Sequence, residues 1–173
     1  MKTLIAGLGN PGKKYEKTRH NVGFRVIDGL ESLDSSSTLL GINARDKNII
    51  FLKPDNFMND SGRAVKEYLD YEKIPVSNLI VIHDDIDLLF GDVRVSKDSS
   101  SAGHKGVQSI INELGTQNFT RIRIGIQPEL KVQSQKLKVN TTDFVLKNFS
   151  KTEEEKLPEI IKKAVGMISI PLS

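Results

Sequence analysis

Cysteine is absent from the 173 residues. That removes a disulfide framework, thiolate zinc sites and a cysteine nucleophile together, and it fits a reducing compartment. Long apolar runs are also absent. The N-terminal stretch "MKTLIAGLGN" has one lysine and a short apolar run ending in glycines, too short for a signal peptide. No segment reaches the roughly 20 apolar residues of a membrane span, so the expectation is a cytoplasmic protein with no membrane partner. Histidine is scarce, with three in the chain and no H-x-x-x-H or H-x-H pair to hold zinc. No serine occupies a G-x-S-x-G elbow. An activated water is then the natural nucleophile for any hydrolysis.

What is present describes an ordinary globular chain, 38% hydrophobic and 27% charged, long enough for one domain with a core. We read residues 1–173 as that single domain, with no repeat and no clear linker. The net charge is 25 − 22 = +3 and the isoelectric point is near 9.0. This mild basicity permits nucleic-acid binding without requiring it.

Apolar runs alternate with helical patterns, the signature of an α/β layer fold. Strands are expected at 3–8, 48–53, 78–82, 92–97 and 120–126. The strand at 78–82 is apolar enough to be central and covered on both faces. The strand at 120–126 places Ile122, Ile124 and Ile126 on one face and Arg121 and Arg123 on the other. Helices are expected at 21–33, with Val22, Val26, Ile27, Leu30 and Leu33 on one face, at 61–69 with Val65, Tyr68 and Leu69 inward, and at 105–114. In the last of these Val107, Ile110, Ile111 and Leu114 face the core, and Gly115 is a stop. Asp34–Ser37 reads as a loop, and 127–142 as a polar, lysine-containing mobile loop. Thr152 with Glu155 reads as a capping box opening the final helix, which Pro158 should kink or delay.

Gly7-Leu8-Gly9-Asn10-Pro11-Gly12 spells G-x-G-x-x-G after a strand. A dinucleotide site needs a helix to start within that motif and an acidic strand end about 20 residues later. Here "KKYEKTRHN" follows with no apolar helical period, and Glu31 and Asp34 lie on or just after a helix. The glycines are better read as a tight turn with close backbone approach.

Chemistry-bearing residues collect at element ends. His20 lies in a loop between Arg19 and Asn21, and His83-Asp84-Asp85 closes the apolar strand "LIVI". A loop histidine and a strand-end aspartate can meet outside the carboxyl ends of a sheet, giving a base with an orienting carboxylate. Surface exposure of the histidine and loop capping by the aspartates are the bland alternatives, and Asp84, Asp85 and Asp87 could instead hold magnesium. Asn10, Asn21 and Asn59 suit a polar substrate or a positioned water, or simply turns. Met58 suits the core or a groove. Arg94, Lys97, Lys105, Arg121 and Arg123, with Lys131, Lys136 and Lys138, would hold phosphates if they share a face.

Four blocks together resemble one family. "GLGNPGKKYEKTRHNVGF" is similar to the N-terminal signature of bacterial-type peptidyl-tRNA hydrolases. "KPDNFMNDSGRAV", "LIVIHDDIDLLFGDVRV" and "SSAGHKGVQSII" resemble its second, third and fourth motifs, in order. The resemblance implies a single α/β domain with a mixed, mostly parallel central sheet flanked by helices on both faces. It implies a monomer that uses no cofactor or metal and cleaves the ester between a peptide and the 3′ end of tRNA. By position it implies that His20 activates water, Asp84 orients it, and Asn10 and Asn59 hold the peptide and the reacting geometry. Tyr15 and Met58 would line the cleft, Asn21 would support the His20 loop, and His104 and Arg123 would face the tRNA. The chain departs from the family at Lys105, where asparagine is usual, and at Ser96, where a basic residue is usual. A metal-dependent phosphoesterase, a tRNA-binding protein without catalysis and, last, a nicotinamide-binding protein are the competing readings.

Overall fold

The computed structural model describes residues 2–32, 47–128 and 140–168. Among the described residues five strands form one sheet: β1 (Thr3–Gly7), β2 (Ile49–Leu52), β3 (Leu79–Leu89), β4 (Val93–Lys97) and β5 (Thr120–Gln127). Their order is β2-β1-β3-β5-β4, parallel throughout except for β4, which runs antiparallel to β5. The helices are α1 (Val22–Glu31), α2 (Ser61–Glu72), α3 (Lys105–Leu114), α4 (Thr141–Val145) and α5 (Lys151–Gly166). None of the described helices is long and apolar enough to cross a membrane.

Side-chain alternation divides the core into two layers. Ile5, Ile80, Ile82, Ile122, Ile124 and Ile126 pack with α1 and α5. Leu4, Ala6, Leu79 and Val81 turn the other way and pack with α2 and α3. Each fully buried Leu or Ile contributes on the order of 1.5–3 kcal/mol relative to exposure. The near-continuous apolar runs of β1 and β3 follow from burial on both faces. Gly7 and Gly23 make the contact between β1 and α1 possible: a Cβ on Gly7 would overlap the Gly23 carbonyl. The glycine turn therefore serves close packing and does not open a helix, and only a short 3₁₀ turn at Lys13–Tyr15 follows it.

Several expectations change. The apolar strand does not close at His83; β3 runs on through Asp84 and Asp85 to Leu89, because β5 pairs with it to Asp85 and, past a register shift, again at Leu89. Tyr68 faces outward, 40% exposed, since the buried stripe of α2 is made by Ser61, Gly62, Val65 and Leu69. The capping box of α5 is Ser150 with Glu153, not Thr152 with Glu155. The helix runs through Pro158 without a break in its assignment. The end of the expected 127–142 loop is helical, as Thr141 and Thr142 begin α4 under an Asn140 side-chain cap. Leu33, the Asp34–Ser37 loop and Lys131, Lys136 and Lys138 lie outside the described residues.

Candidate active site

β1 leads to β2 on one side of the sheet, and β3 lies on its other side. The strand order thus reverses between β1 and β3, where open α/β sheets leave a crevice at the carboxyl ends. A cleft of about 570 Å³ lies there, lined by Asn10, His20, Met58, Asn59, Asp84, His104 and Lys105 among others.

His20 sits in a 3₁₀ turn, Arg19–Asn21, directly before α1. Its Nδ1 lies 2.8 Å from Asp84 Oδ1, and both residues are buried. A second histidine reaches the same oxygen, with His104 Nε2 at 2.9 Å. The proton positions follow from the partners. Val107 donates its backbone N–H to His104 Nδ1 at 3.2 Å, so that nitrogen is an acceptor and Nε2 carries the proton given to Asp84. His20 donates from Nδ1, which leaves its Nε2 lone pair for the cleft. Burial opposes the charge on Asp84, but the electrostatic attraction and hydrogen bonds of the two imidazoles facing it outweigh that and hold the carboxyl far below the ordinary carboxylate range.

The backbone before α3 is shaped to deliver His104. Ala102 and Gly103 have φ of 48° and 82°, two successive left-handed residues that reverse the chain. His104 also caps α3 through its side chain. His83 lies behind it, ring centroids 4.7 Å apart, with Nδ1 2.7 Å from the Asp84 carbonyl oxygen, to which it must donate. Burial, then the neighbouring His104, holds the His83 imidazole well below its usual titration range, so it is neutral.

Asn10 is held on three sides. Its N–H donates to Asn21 Oδ1 at 2.9 Å and its carbonyl accepts from Asn21 Nδ2 at 2.9 Å. Its Oδ1 accepts the Met58 N–H at 2.8 Å, which leaves the amide NH₂ for a ligand. Asn21 acts from behind and does not line the cleft. Asn59 is exposed at the cleft. Met58 is buried, 4% exposed, against Gly106, where a Cβ would overlap its sulfur. Tyr15 is not among the cleft-lining residues; it meets the exposed Phe57 edge-on at 6.3 Å. Arg123 is also outside the cleft lining, and donates to Asp85 Oδ2 at 2.6 Å. Lys105 is exposed on the rim.

His20, Asp84 and His104 are also spaced to hold a metal ion, their ligand atoms lying within 4.8 Å of one another. The hydrogen-bond pattern disfavours that use, because the His104 nitrogen facing Asp84 is protonated. Asp85 and Asp87 do not join them: Asp85 Oδ1 accepts the Asp87 N–H at 2.8 Å and its Oδ2 holds Arg123. Sequence reasoning missed the wall formed by Thr141, Thr142, Val145 and Leu146. It also missed the ring contact of His83 with His104, for which adjacency to Asp84 was the only available sign.

The model of one family, described as peptidyl-tRNA hydrolase, matches residues 4–173. The chain belongs to the peptidyl-tRNA hydrolase family. It is 44% identical over 170 residues to the peptidyl-tRNA hydrolase of Aquifex aeolicus, covering 94% of this chain and 85% of that one. It is 39% identical to that of Geotalea daltonii, covering 96% and 88%. The crystal structure of the peptidyl-tRNA hydrolase from Acinetobacter baumannii superposes with a TM-score of 0.74 at 29% identity, over 92% of this chain and 83% of that one. The fold of this peptidyl-tRNA hydrolase family member is therefore the mixed sheet with helices on both faces that the motifs implied.

Proposed function

We propose that the chain hydrolyses the ester between a peptide, or an N-blocked aminoacyl group, and the 3′ end of tRNA. The observation that carries the mechanism is the buried Asp84 carboxylate fixing His20 through Nδ1 at 2.8 Å. His20 Nε2 takes a proton from a water, and the resulting hydroxide attacks the ester carbonyl. Asp84 stabilises the imidazolium and keeps the ring oriented without itself taking the proton. The amide NH₂ of Asn10 and the side chain of Asn59 donate to the tetrahedral oxyanion and to the peptide. Collapse of that intermediate breaks the bond to the ribose oxygen, and the imidazolium returns its proton to the leaving 3′ hydroxyl. The products are a free peptide acid and tRNA. No cofactor or metal enters these steps.

Arg123, Arg94 and Lys105 supply phosphate contacts that position the tRNA without reading its bases. We assign the chain to the cytoplasm, as a monomer and as one domain over 1–173, from the family and from the absence of cysteine. The competing metal-dependent phosphoesterase is disfavoured by the engagement of both Asp85 oxygens. The deciding measurement is release of peptide from a model peptidyl-tRNA, with and without a strong chelator. We expect turnover unaffected by chelation, and a loss of about 10³- to 10⁴-fold in His20→Ala with the fold retained. Full activity in that variant would sink the assignment.

A further inference from the structure

Arg19 precedes the reacting histidine in sequence, yet it points away from the cleft and is only 8% exposed. A buried guanidinium is costly unless its donors and charge are matched. Here the charge and both terminal nitrogens are matched by residues of α4, of α5 and of the segment between them, while Nε is buried without a hydrogen-bond partner among the described residues. Nη1 donates to the Asn148 carbonyl at 2.8 Å and to the Lys147 carbonyl at 3.3 Å. Nη2 donates to Glu153 Oε2 at 2.6 Å. The guanidinium carbon lies 4.4 Å from the Phe144 ring centroid and 5.5 Å from that of Phe149. Backbone pairing joins the same two segments: Arg19 N–H to the Lys147 carbonyl, and Phe149 N–H to the Lys17 carbonyl, each at 3.1 Å.

Both ends of this connection matter to the cleft. One end is the turn that carries His20. The other is α4, whose Thr141, Thr142 and Val145 form the opposite wall. The Glu153 oxygen that receives Arg19 also accepts the Ser150 N–H, at 2.6 Å, in the capping box of α5. The start of α5, the α4 wall and the His20 turn thus share one guanidinium. Asp84 fixes the ring of His20, but nothing in that bond fixes the backbone beneath it.

We infer that Arg19 is a positioning residue, a latch that sets the His20 turn against the α4 wall and so keeps His20 in register with a bound ester. This rests on the proposed hydrolysis only for its kinetic consequence. Lysine at this position retains the charge toward Glu153 but lacks the planar fork that reaches two carbonyls and stacks between rings. Small displacement of a reacting group is enough to slow chemistry strongly.

The test uses the full chain and compares wild type with Arg19→Lys, and with Glu153→Gln in case the lysine variant folds poorly. Each is assayed on a model peptidyl-tRNA well below its melting temperature. We expect kcat to fall about tenfold with KM changed by less than about threefold. A proton NMR spectrum should show the His20 Nδ1–H in its bond to Asp84 as a sharp downfield signal in wild type, broadened in both variants. Unchanged kcat and an unchanged signal in a folded variant would overturn the latch, as would a lower melting temperature alone. An inactive wild type would instead overturn the proposed reaction, and the NMR comparison would still decide the latch.

Discussion

Asp84 and Asp85 are adjacent on β3 and both are buried, but they serve two different regions. Asp84 turns toward the glycine turn and α3 and meets two imidazoles, whose donated protons it shares on one oxygen. Asp85 turns toward the β4–β5 edge and meets Arg123. Around Asp84 nearly every polar atom is held: Asn10 by Asn21 and Met58, His104 by Val107, His83 by the Asp84 carbonyl. Beside Asp85 and Arg123 the neighbouring strand carries the exposed Arg94. A reacting base gains from fixed geometry, because reorganisation during the reaction is avoided. A phosphate contact gains little from it, since Coulomb attraction is long-ranged and tolerant of angle.

Exchanging the carboxylates one at a time would break or sharpen that contrast. Asp84→Asn is expected to lower kcat about 10²-fold, because the amide cannot stabilise an imidazolium as a charge does. Asp85→Asn is expected to leave kcat within about twofold and to raise KM a few-fold, as Arg123 loses its anchor. Steady-state kinetics on the two purified variants, with melting temperatures alongside, would separate these outcomes. Equal losses of kcat would show that the two aspartates form one unit.

The layered fold was legible because burial of β1 and β3 on both faces writes continuous apolar runs, and because Val22, Val26, Ile27 and Leu30 keep helical spacing. The His20–Asp84 pair was legible as one possibility, from scarce histidine and a strand end rich in carboxylates, beside surface, capping and magnesium readings; the resemblance of the four motifs singled it out. The role of Arg19 was hidden, since its partners are the Lys147 and Asn148 carbonyls and Glu153, more than 120 residues away. Backbone acceptors have no signature in a sequence. His104 was expected on the tRNA-facing side; it lines the cleft and donates to Asp84, a partner of which the sequence carries no sign, with its ring fixed by the Nδ1 cap of α3. The capping box was misplaced by two residues because the run Glu153–Glu155 offers more than one candidate N3 carboxylate.

A smaller effect should separate the regions by pH. His83 is buried and neutral, its folded titration point depressed below the unfolded value near 6.5. Below that value the unfolded chain binds the proton that the folded chain refuses, so stability falls as pH falls. The slope from this group is at most about 1.4 kcal/mol per pH unit. Asp84 is depressed as well and also loses stabilisation toward acid, but in a lower window: its contribution is present above the unfolded carboxylate value and is lost only as pH falls toward its depressed folded value, so it is level between pH 5 and 7. Urea unfolding of wild type and His83→Asn across that window should show a shallower decline in the variant. Parallel curves would remove His83 as the source.

The smallest expected effect lies on the rim, at Lys105. It is exposed at the first position of α3 and lines the cleft beside His104. Its ammonium can only donate, so it cannot replace an amide that both donates and accepts, but it can meet a phosphate. A cation at a helix N-terminus is mildly unfavourable to the helix, by a few tenths of a kcal/mol. Lys105→Asn should therefore leave folding unchanged or slightly improved. If the lysine contacts one phosphate, KM should rise less than about threefold at low salt and the logarithmic salt dependence of binding should become shallower by about 0.7 to 0.9. Measuring KM over a salt series for both proteins tests this. An unchanged slope would mean that Lys105 is only solvated, and that the phosphate contacts lie with Arg94 and Arg123 alone.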